Sequence, residues 1–214
     1  MTFIKKLSKM GIVIVDYGMG NLRSVQKAFE RIRIPAKISA DANDILSAEK
    51  LILPGVGHFK MGIYNLASKG LIDPLNRAVL EKKIIILGIC LGMQLMTEFS
   101  EEGNVKGLGW IKAQTKRFSF ASNEFKVPHM GWDSLSIKNG DTLYKGINQE
   151  DLFYFVHSYF IICEDEKDIL TETYYGQKFV SSFNKDNIYG FQFHPEKSHN
   201  VGLKLLKNFA NFSI

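Results

Sequence analysis

The stretch Ile84-Ile-Ile-Leu-Gly-Ile-Cys-Leu-Gly92 decides the fold. Its first four residues form a continuous apolar run, which is typical of a parallel β-strand covered on both faces. The segment Gly88-Ile-Cys-Leu-Gly92 follows directly, and a helical pattern begins at about Leu91. A strand, a glycine-flanked cysteine and a helix in this order predict a tight turn with Cys90 at its apex.

Cys90 in such a turn is a candidate nucleophile. Glycines are needed at positions 88 and 92, because side chains there would collide with the neighbouring strand and helix. The turn places the sulfur above the carboxyl edge of the sheet and directs a helix N-terminus at it, which favours the thiolate. Unpaired cysteines are more often apolar core residues, and we expect that of Cys163, which has no flanking glycines.

Strands and helices alternate through the first half of the chain. Apolar runs predict strands at residues 11–16, 36–39, 51–53 and 84–87. Helical spacing is found around residues 22–32, 61–67 and 71–80, and again from about residue 91. Repeated strand–helix units predict an α/β fold with a doubly wound, mostly parallel central sheet and helices on both faces.

The second half of the chain has a different pattern. Residues 108–190 hold short alternating or aromatic-rich segments, which predict added antiparallel strands beside the main sheet. A helix over about 201–212 closes the chain, and no linker or internal repeat interrupts it. We therefore expect one domain over residues 11–214, preceded by a leader at residues 1–10.

Composition and charge argue against several classes of protein. With 45% hydrophobic and 23% charged residues, the chain reads as soluble and globular. The net charge is +5, but the lysines are scattered among acidic residues, so a nucleic-acid-binding patch is not expected. Two cysteines cannot build a disulfide framework, which favours the cytoplasm. No signal peptide, membrane span or cluster of metal ligands is recognisable, and no cofactor is implied.

The segment Gln192-Phe-His-Pro-Glu196 supplies a candidate base. A thiol nucleophile needs an imidazole to move its proton, and the imidazole needs an acceptor on its other nitrogen. His194 follows an apolar strand at 188–191, so it also lies at a strand's carboxyl end. Pro195 stiffens the spacing to Glu196. The other histidines are His58, His129, His157 and His199. None of them precedes a carboxylate in so rigid a setting.

Pro54-Gly-Val-Gly57 follows the third predicted strand and is a candidate oxyanion hole. Its glycines allow the backbone N–H groups to point inward, and the N–H of Leu91 could join them. An ordinary Pro-Gly turn is the plainer alternative. A phosphate-binding loop is disfavoured, because no Gly-Lys-Ser/Thr follows.

Together these segments resemble the class I, triad-type glutamine amidotransferases, in which Cys, His and Glu form the triad. Within that family the chain is most similar to the glutaminase subunits of imidazole glycerol phosphate synthase, from histidine biosynthesis. The resemblance covers about residues 11–212. The motifs that carry it lie at residues 13–21, 54–57, 88–94, 128–132, 154–159 and 192–198.

The resemblance implies roles for individual residues. It makes Cys90, His194 and Glu196 catalytic, with Gly57 and Leu91 forming the oxyanion hole. Glutamine would be bound by Gly57, Gln94, Ser158 and Tyr159. A (β/α)₈ cyclase that makes imidazole glycerol phosphate and AICAR from the delivered ammonia would be the partner in a heterodimer. Residues facing that partner would be Asn21, Trp132, Asp133, Tyr154 and Lys197. Without the resemblance, Trp132 and Tyr154 would be taken as core aromatics.

One position departs from the family pattern. The residue after Trp132 is usually Asn and here is Asp133, which changes charge and hydrogen-bond donors near the partner face. A paralogous subunit that delivers ammonia to a sugar amidation enzyme in surface-glycan synthesis therefore stays open. A non-catalytic binding module is disfavoured because all three triad residues are present. A cysteine hydrolase or peptidase is disfavoured by Gln94 and by the order His-Pro-Glu.

Overall fold

The computed structural model describes residues 10–121, 123–139 and 142–213. The first strand begins at Met10, and the rest of the predicted leader lies outside the described residues. The strands are β1 (Met10–Val15), β2 (Ala36–Ser39), β3 (Ala48–Gly55), β4 (Ile85–Cys90), β5 (Thr97–Ser100), β6 (Val105–Lys106), β7 (Ile111–Arg117), β8 (His129–Ser134), β9 (Ser136–Ile137), β10 (Leu152–His157), β11 (Tyr159–Cys163), β12 (Ile169–Tyr175), β13 (Gln177–Lys185) and β14 (Ile188–Phe191).

Helices are fewer and mostly short. The α-helices are α1 (Leu22–Arg31), α2 (Ala42–Ser47), α3 (Phe59–Ser68), α4 (Ile72–Asn76), α5 (Leu91–Leu95) and α6 (His199–Asn211). A π-helical turn over Arg77–Glu81 continues α4, so the helix predicted at 71–80 has two parts. Short 3₁₀ turns lie at Thr142–Tyr144, Glu166–Asp168 and Pro195–Lys197.

The main sheet confirms the predicted fold class. Strands β2, β1, β3, β4 and β14 lie side by side in that order and run parallel. Beyond β14 the order continues through β13, β11, β7, β5 and β6, where most of the pairs are antiparallel. The antiparallel extension predicted for the second half is therefore also confirmed.

The hydrophobic core lies on both faces of this sheet. Along β1, Val13 and Val15 belong to one buried cluster, whereas Ile12 and Ile14 belong to another. Successive side chains of a strand point to opposite faces, so the two clusters are the two sides of the sheet. This explains why the parallel strands are unbroken apolar runs rather than alternating ones.

Strands β8 and β10 form a separate antiparallel ribbon. Alternate residues of β8 are exposed, including Met130 and Trp132, while His129 is buried. The ribbon lies next to the turn that follows β14, because the N–H of His194 donates to the carbonyl of Tyr154 over 2.9 Å. The ribbon therefore reaches the carboxyl edge of the parallel strands, where the candidate site lies.

Candidate active site

Cys90 is the last residue of β4 and caps α5. Its backbone has φ 53° and ψ −110°, a conformation that a non-glycine residue adopts only under strain. A Cβ on Gly88 would lie 2.6 Å from the nitrogen of Met93, and one on Gly92 would lie 1.7 Å from the carbonyl oxygen of Leu53. The turn therefore needs both glycines. Because α5 has only five residues, the helix dipole that acts on the sulfur comes from little more than one helical turn.

His194 and Glu196 are brought to the same edge by the strand next to β4. β14 pairs in parallel with β4, and the chain leaves it directly into His194. Nδ1 of His194 lies 2.8 Å from Oε1 of Glu196, and each side chain is 2% exposed. Nδ1 donates to the carboxylate, so Nε2 is left to interact with the side chain of Cys90.

The charge state of His194 is set by two negative neighbours. Burial disfavours the charged ring, but the negative charges of Cys90 and Glu196 outweigh it and raise the pKa of His194 above its ordinary value. The backbone holds the ring in place, because Oγ of Ser198 donates to the carbonyl of His194 over 2.7 Å. The arrangement favours an imidazolium beside Cys90, and an imidazole so placed can exchange a proton with a cysteine nucleophile.

Amide side chains complete the polar surroundings of the sulfur. Nε2 of Gln192, a fully buried residue, lies 3.7 Å from the sulfur of Cys90. Nε2 of Gln94 donates to Oε1 of Gln192 over 3.0 Å and to the carbonyl of Tyr159 over 2.9 Å. The sequence pattern assigns no role to Gln192. The only sequence signal was its place at the end of the strand that carries His194.

The glycine loop, residues 54–57, lies next to the candidate nucleophile Cys90 because of the register between two strands. β3 pairs with β4 so that Gly55 is opposite Cys90. Gly57 has φ 109°, and a Cβ there would lie 2.8 Å from Cε of Met19. Only glycine fits this backbone without strain. Val56 between them is 41% exposed, so the loop borders solvent rather than core.

An open cavity of about 310 Å³ lies above the sulfur. Its lining is Val56, Gly57, Cys90, Leu91, Gln94, Glu102, Pro128, Val156, His157, Ser158 and Tyr159. Every residue that we expected to bind glutamine is among them. Glu102 was missed by the sequence analysis, and its Oε2 accepts a hydrogen bond from the N–H of Phe59 over 2.7 Å. Glu102 belongs to no recognisable motif. It reaches the cavity on the loop that follows β5.

Three of the expected partner-facing residues lie together beside His194 of the expected triad. Trp132 and Tyr154 are opposite each other on β8 and β10, with ring centroids 5.6 Å apart. Nζ of Lys197 lies 5.4 Å from the Tyr154 ring centroid, and His199 stacks on Trp132 at 4.8 Å. We call Trp132, Tyr154, Lys197 and His199 the aromatic patch. It adjoins the triad, because the rings of Tyr154 and His194 are 6.4 Å apart.

The other two expected partner-facing residues lie elsewhere. Oδ1 of Asn21 accepts from the N–H of Ser24 over 3.2 Å and so caps α1, which packs against the Pro195–Lys197 turn. Asp133 follows Trp132 in the chain, but its side chain is on the opposite face of β8. There its Oδ2 lies 2.7 Å from Nε2 of His129.

The remaining candidate groups stay outside the site. Cys163 is half-buried on β11, and burial, with a smaller effect of nearby aspartates, raises the pKa of its thiol to about 12. It is packed against the core, as expected of it. His58 caps α3. Within the described ranges, no group of three or more His, Cys, Asp or Glu side chains is arranged to hold a metal ion. No described helix is both long and apolar enough to cross a membrane.

The chain matches the family described as glutamine amidotransferase class-I over residues 13–211. It is 52% identical to imidazole glycerol phosphate synthase subunit HisH 2 of Methanococcus maripaludis, over 92% of this chain and 98% of that protein. It is 48% identical to the subunit of the same name from Pseudomonas aeruginosa, over 93% and 98%. Among solved structures, PurLQS from Thermotoga maritima aligns with a TM-score of 0.71, 20% identity and coverage of 95% and 98%. That last likeness concerns the fold alone.

Proposed function

The chain belongs to the class-I glutamine amidotransferase family, and on that premise we propose that it is the glutaminase subunit of an imidazole glycerol phosphate synthase. It hydrolyses glutamine to glutamate and ammonia, and passes the ammonia to a (β/α)₈ cyclase in a cytoplasmic heterodimer. Two relatives that are 52% and 48% identical to this chain carry the name of that synthase subunit. The observation that carries the proposal is the triad geometry, in which His194 is held by Glu196 at the edge where Cys90 lies.

Glutamine is bound in the cavity above Cys90. Ser158, Tyr159 and Gln94 line this cavity, and their polar groups suit the polar ends of an amino acid. Glu102 supplies a carboxylate to the same cavity, and a carboxylate is the natural partner of the substrate's α-ammonium group. The side-chain amide of glutamine is thereby directed towards the sulfur.

Acylation begins from the thiolate–imidazolium pair. The sulfur of Cys90 attacks the amide carbon, and the carbonyl oxygen becomes an oxyanion that the N–H of Leu91 and the Gly57 region stabilise. His194 then donates the proton on its Nε2 to the leaving nitrogen as the C–N bond breaks. Ammonia and a γ-glutamyl thioester on Cys90 are the products of this half-reaction.

Deacylation uses the same groups in reverse. Neutral His194 takes a proton from a water molecule, whose oxygen attacks the thioester carbon. Collapse of the second tetrahedral intermediate breaks the C–S bond, releases glutamate and restores the thiolate beside the imidazolium. Throughout both half-reactions Glu196 orients the ring of His194 and stabilises its positive charge.

The ammonia leaves through the face that the partner covers. The aromatic patch is exposed next to His194 and combines a 40% exposed Trp132 with the cation of Lys197. Aromatic and cationic side chains of this kind are typical anchors of protein interfaces. We place the mouth of the ammonia route at this patch, with the start of α1 at Asn21 near its margin and the Asp133 side chain on the other face of β8.

A second acceptor reaction is favoured by Asp133. By the resemblance this position is Asn in the synthase subunits, and a 37% exposed carboxylate here, on the face of β8 away from Trp132, changes the charge next to the partner face. In this version the glutaminase chemistry is unchanged, and the ammonia goes to a sugar amidation enzyme.

The test is reconstitution with purified partners. Glutamate release and product formation from glutamine are measured with the chain alone, with a histidine-pathway cyclase barrel and with a sugar amidation enzyme from the same genome. The proposal expects glutamine-dependent formation of imidazole glycerol phosphate with the cyclase. Glutamine-dependent amidation with the sugar enzyme alone would support the second acceptor. No glutamate with either partner would refute the glutaminase assignment.

A further inference from the structure

Two buried histidines face each other on the β8–β10 ribbon. His129 and His157 are paired in the strand register and are 1% and 6% exposed. Nδ1 of His129 lies 3.0 Å from Nε2 of His157. Nδ1 of His157 lies 2.7 Å from the carbonyl oxygen of Tyr159, and Nε2 of His129 lies 2.7 Å from Oδ2 of Asp133. All four ring nitrogens are therefore engaged.

The acceptors at the two ends fix the number of protons in this chain. The carbonyl of Tyr159 only accepts, so Nδ1 of His157 carries a hydrogen. A carboxylate also only accepts, so Nε2 of His129 carries another, and a third lies between the two rings. Two neutral imidazoles hold one hydrogen each, so the pair holds one proton more than the neutral rings. The pair carries one positive charge, opposite the negative charge of Asp133.

The surroundings place that charge on His129. Burial, and secondarily the neighbouring His129, lowers the pKa of His157 to about 3, so His157 stays neutral. His129 has the carboxylate of Asp133 at its other nitrogen. The ring of His129 also lies between two aromatic rings. Its centroid is 5.0 Å from that of Phe155, with an interplanar angle of 24°, and 4.1 Å from that of Tyr175, with an angle of 22°. Aromatic faces attract cations, so this sandwich favours an imidazolium.

The hydrogen-bond chain continues from the histidines into the cavity. The carbonyl of Tyr159 also accepts from Nε2 of Gln94 over 2.9 Å. Gln94 donates to Gln192 over 3.0 Å, and Nε2 of Gln192 lies 3.7 Å from the sulfur of Cys90. A continuous path therefore connects Asp133, whose side chain is 37% exposed, with the nucleophile.

We propose that Asp133 is a positioning residue: its hydrogen bond to Nε2 of His129 completes a relay that fixes the Tyr159 carbonyl and the Gln94 amide in the cavity, and its carboxylate also keeps a second proton on the His129 ring. An asparagine amide can donate to Nε2 of His129, which leaves both rings neutral. The charged relay is therefore a property of aspartate at this position. The positioning role rests on the proposed glutaminase function, whereas the protonation of His129 does not.

The proton is tested by ¹⁵N NMR of the histidine-labelled chain at neutral pH. Signals of His129 are assigned with His129→Gln. In the wild type both ring nitrogens of His129 are expected to be protonated, and in Asp133→Asn Nε2 is expected to be unprotonated with Nδ1 still protonated. A neutral His129 ring in the wild type would overturn the proposal, as would an unchanged ring in Asp133→Asn.

The positioning role is tested by glutaminase kinetics in the complex with the partner. Asp133→Ala leaves a buried ring nitrogen without its partner, and we expect KM for glutamine to rise about tenfold, the size of one lost hydrogen bond in the cavity. Asp133→Asn keeps a hydrogen bond and should restore KM to within about threefold of wild type. Asp186→Asn, at an exposed residue of the β13–β14 turn, is the matched control and should leave both KM and kcat unchanged.

Each outcome of the kinetics decides one claim. An unchanged KM in Asp133→Ala, or equal KM values in the two Asp133 variants, would overturn the positioning role. If Asp133→Ala does not fold, a KM for Asp133→Asn raised tenfold or more also overturns it. If the wild-type complex releases no glutamate, the proposed function fails and the positioning role fails with it. The nitrogen spectrum still decides the protonation of His129.

Discussion

Gly55 and Cys90 are directly opposite each other on the parallel strands β3 and β4. A Cβ at Gly55 would lie 2.5 Å from the hydroxyl oxygen of Tyr17 and 2.8 Å from the nitrogen of Gly92. The glycine loop and the nucleophile turn are thus packed together without room for a side chain. Strand register, rather than either loop alone, holds the candidate oxyanion hole beside the sulfur.

Gly92→Ala should destabilise the fold by roughly 3 kcal/mol or more, since overpacking against backbone has little room to relax. The added Cβ would lie 1.7 Å from the carbonyl oxygen of Leu53. Gly11→Ala is the control, because a Cβ there approaches nothing closer than 4.0 Å. Urea unfolding of both variants measures the difference, and equal midpoints would contradict the tight turn.

Glu196→Gln should shift the alkaline limb of kcat to lower pH. Burial acts against the imidazolium, but the charges of Cys90 and Glu196 raise the pKa of His194, so its proton persists above the ordinary value. Removing one negative charge lowers the pKa of a cationic acid. We also expect kcat to fall roughly a hundredfold or more. The pH profile of glutamate release in the complex is the measurement, and an unmoved limb would show that Glu196 does not act on His194.

Glu102→Gln should raise KM for glutamine with little change in kcat. Glutamine at position 102 can still accept from the N–H of Phe59, which Glu102 bonds over 2.7 Å, but it lacks the charge for the α-ammonium group. Glu101→Gln is the control, because Glu101 bonds the N–H of Arg117 and is not among the cavity residues. Equal KM values for the two variants would remove Glu102 from the substrate site.

The isolated chain should be a poor glutaminase that its partner stimulates. The glycine-rich Gly55–Gly57 loop can rest with its N–H groups turned away, and docking would shift that population. Trp132→Ala should weaken docking by about 2 kcal/mol, or roughly thirtyfold in Kd, and reduce the stimulation at a fixed partner concentration. Tyr174→Ala is the control, because Tyr174 on β12 is an aromatic residue that is 63% exposed. This variant should change neither the Kd for the partner nor the stimulation. Full activity of the chain alone would contradict the coupling.

The parallel half of the fold and the nucleophile turn could be predicted because their signals are local. Apolar runs of β1 and β4 and the glycines around Cys90 each lie within a few residues of the structure that they determine. The six-residue α2 was missed, since only Ile45 of it is buried and no helical period can be seen. The change from α-helix to a π-helical turn at Arg77–Glu81 also cannot be seen in the spacing of the apolar residues.

Features that depend on distant pairing could not be predicted. The contact between His129 and His157 needs the antiparallel register of β8 and β10, which joins residues far apart in the chain. Glu102 reaches the cavity on the loop after β5, where it accepts a hydrogen bond from the first residue of α3, Phe59. Each residue looks ordinary in its own segment, and its role follows from a neighbour that the fold supplies.

The most direct test of the central claim compares two nitrogen donors for the complex of Cys90→Ala with its partner. In the proposed function only the glutaminase step needs the Cys90 sulfur, whereas the partner would consume free ammonia. We predict that turnover with ammonium salts stays at the wild-type rate, while turnover with glutamine falls more than about a thousandfold, as expected for loss of a triad member. Glutamine-dependent turnover above about a thousandth of wild type would contradict the assignment of Cys90 as the nucleophile.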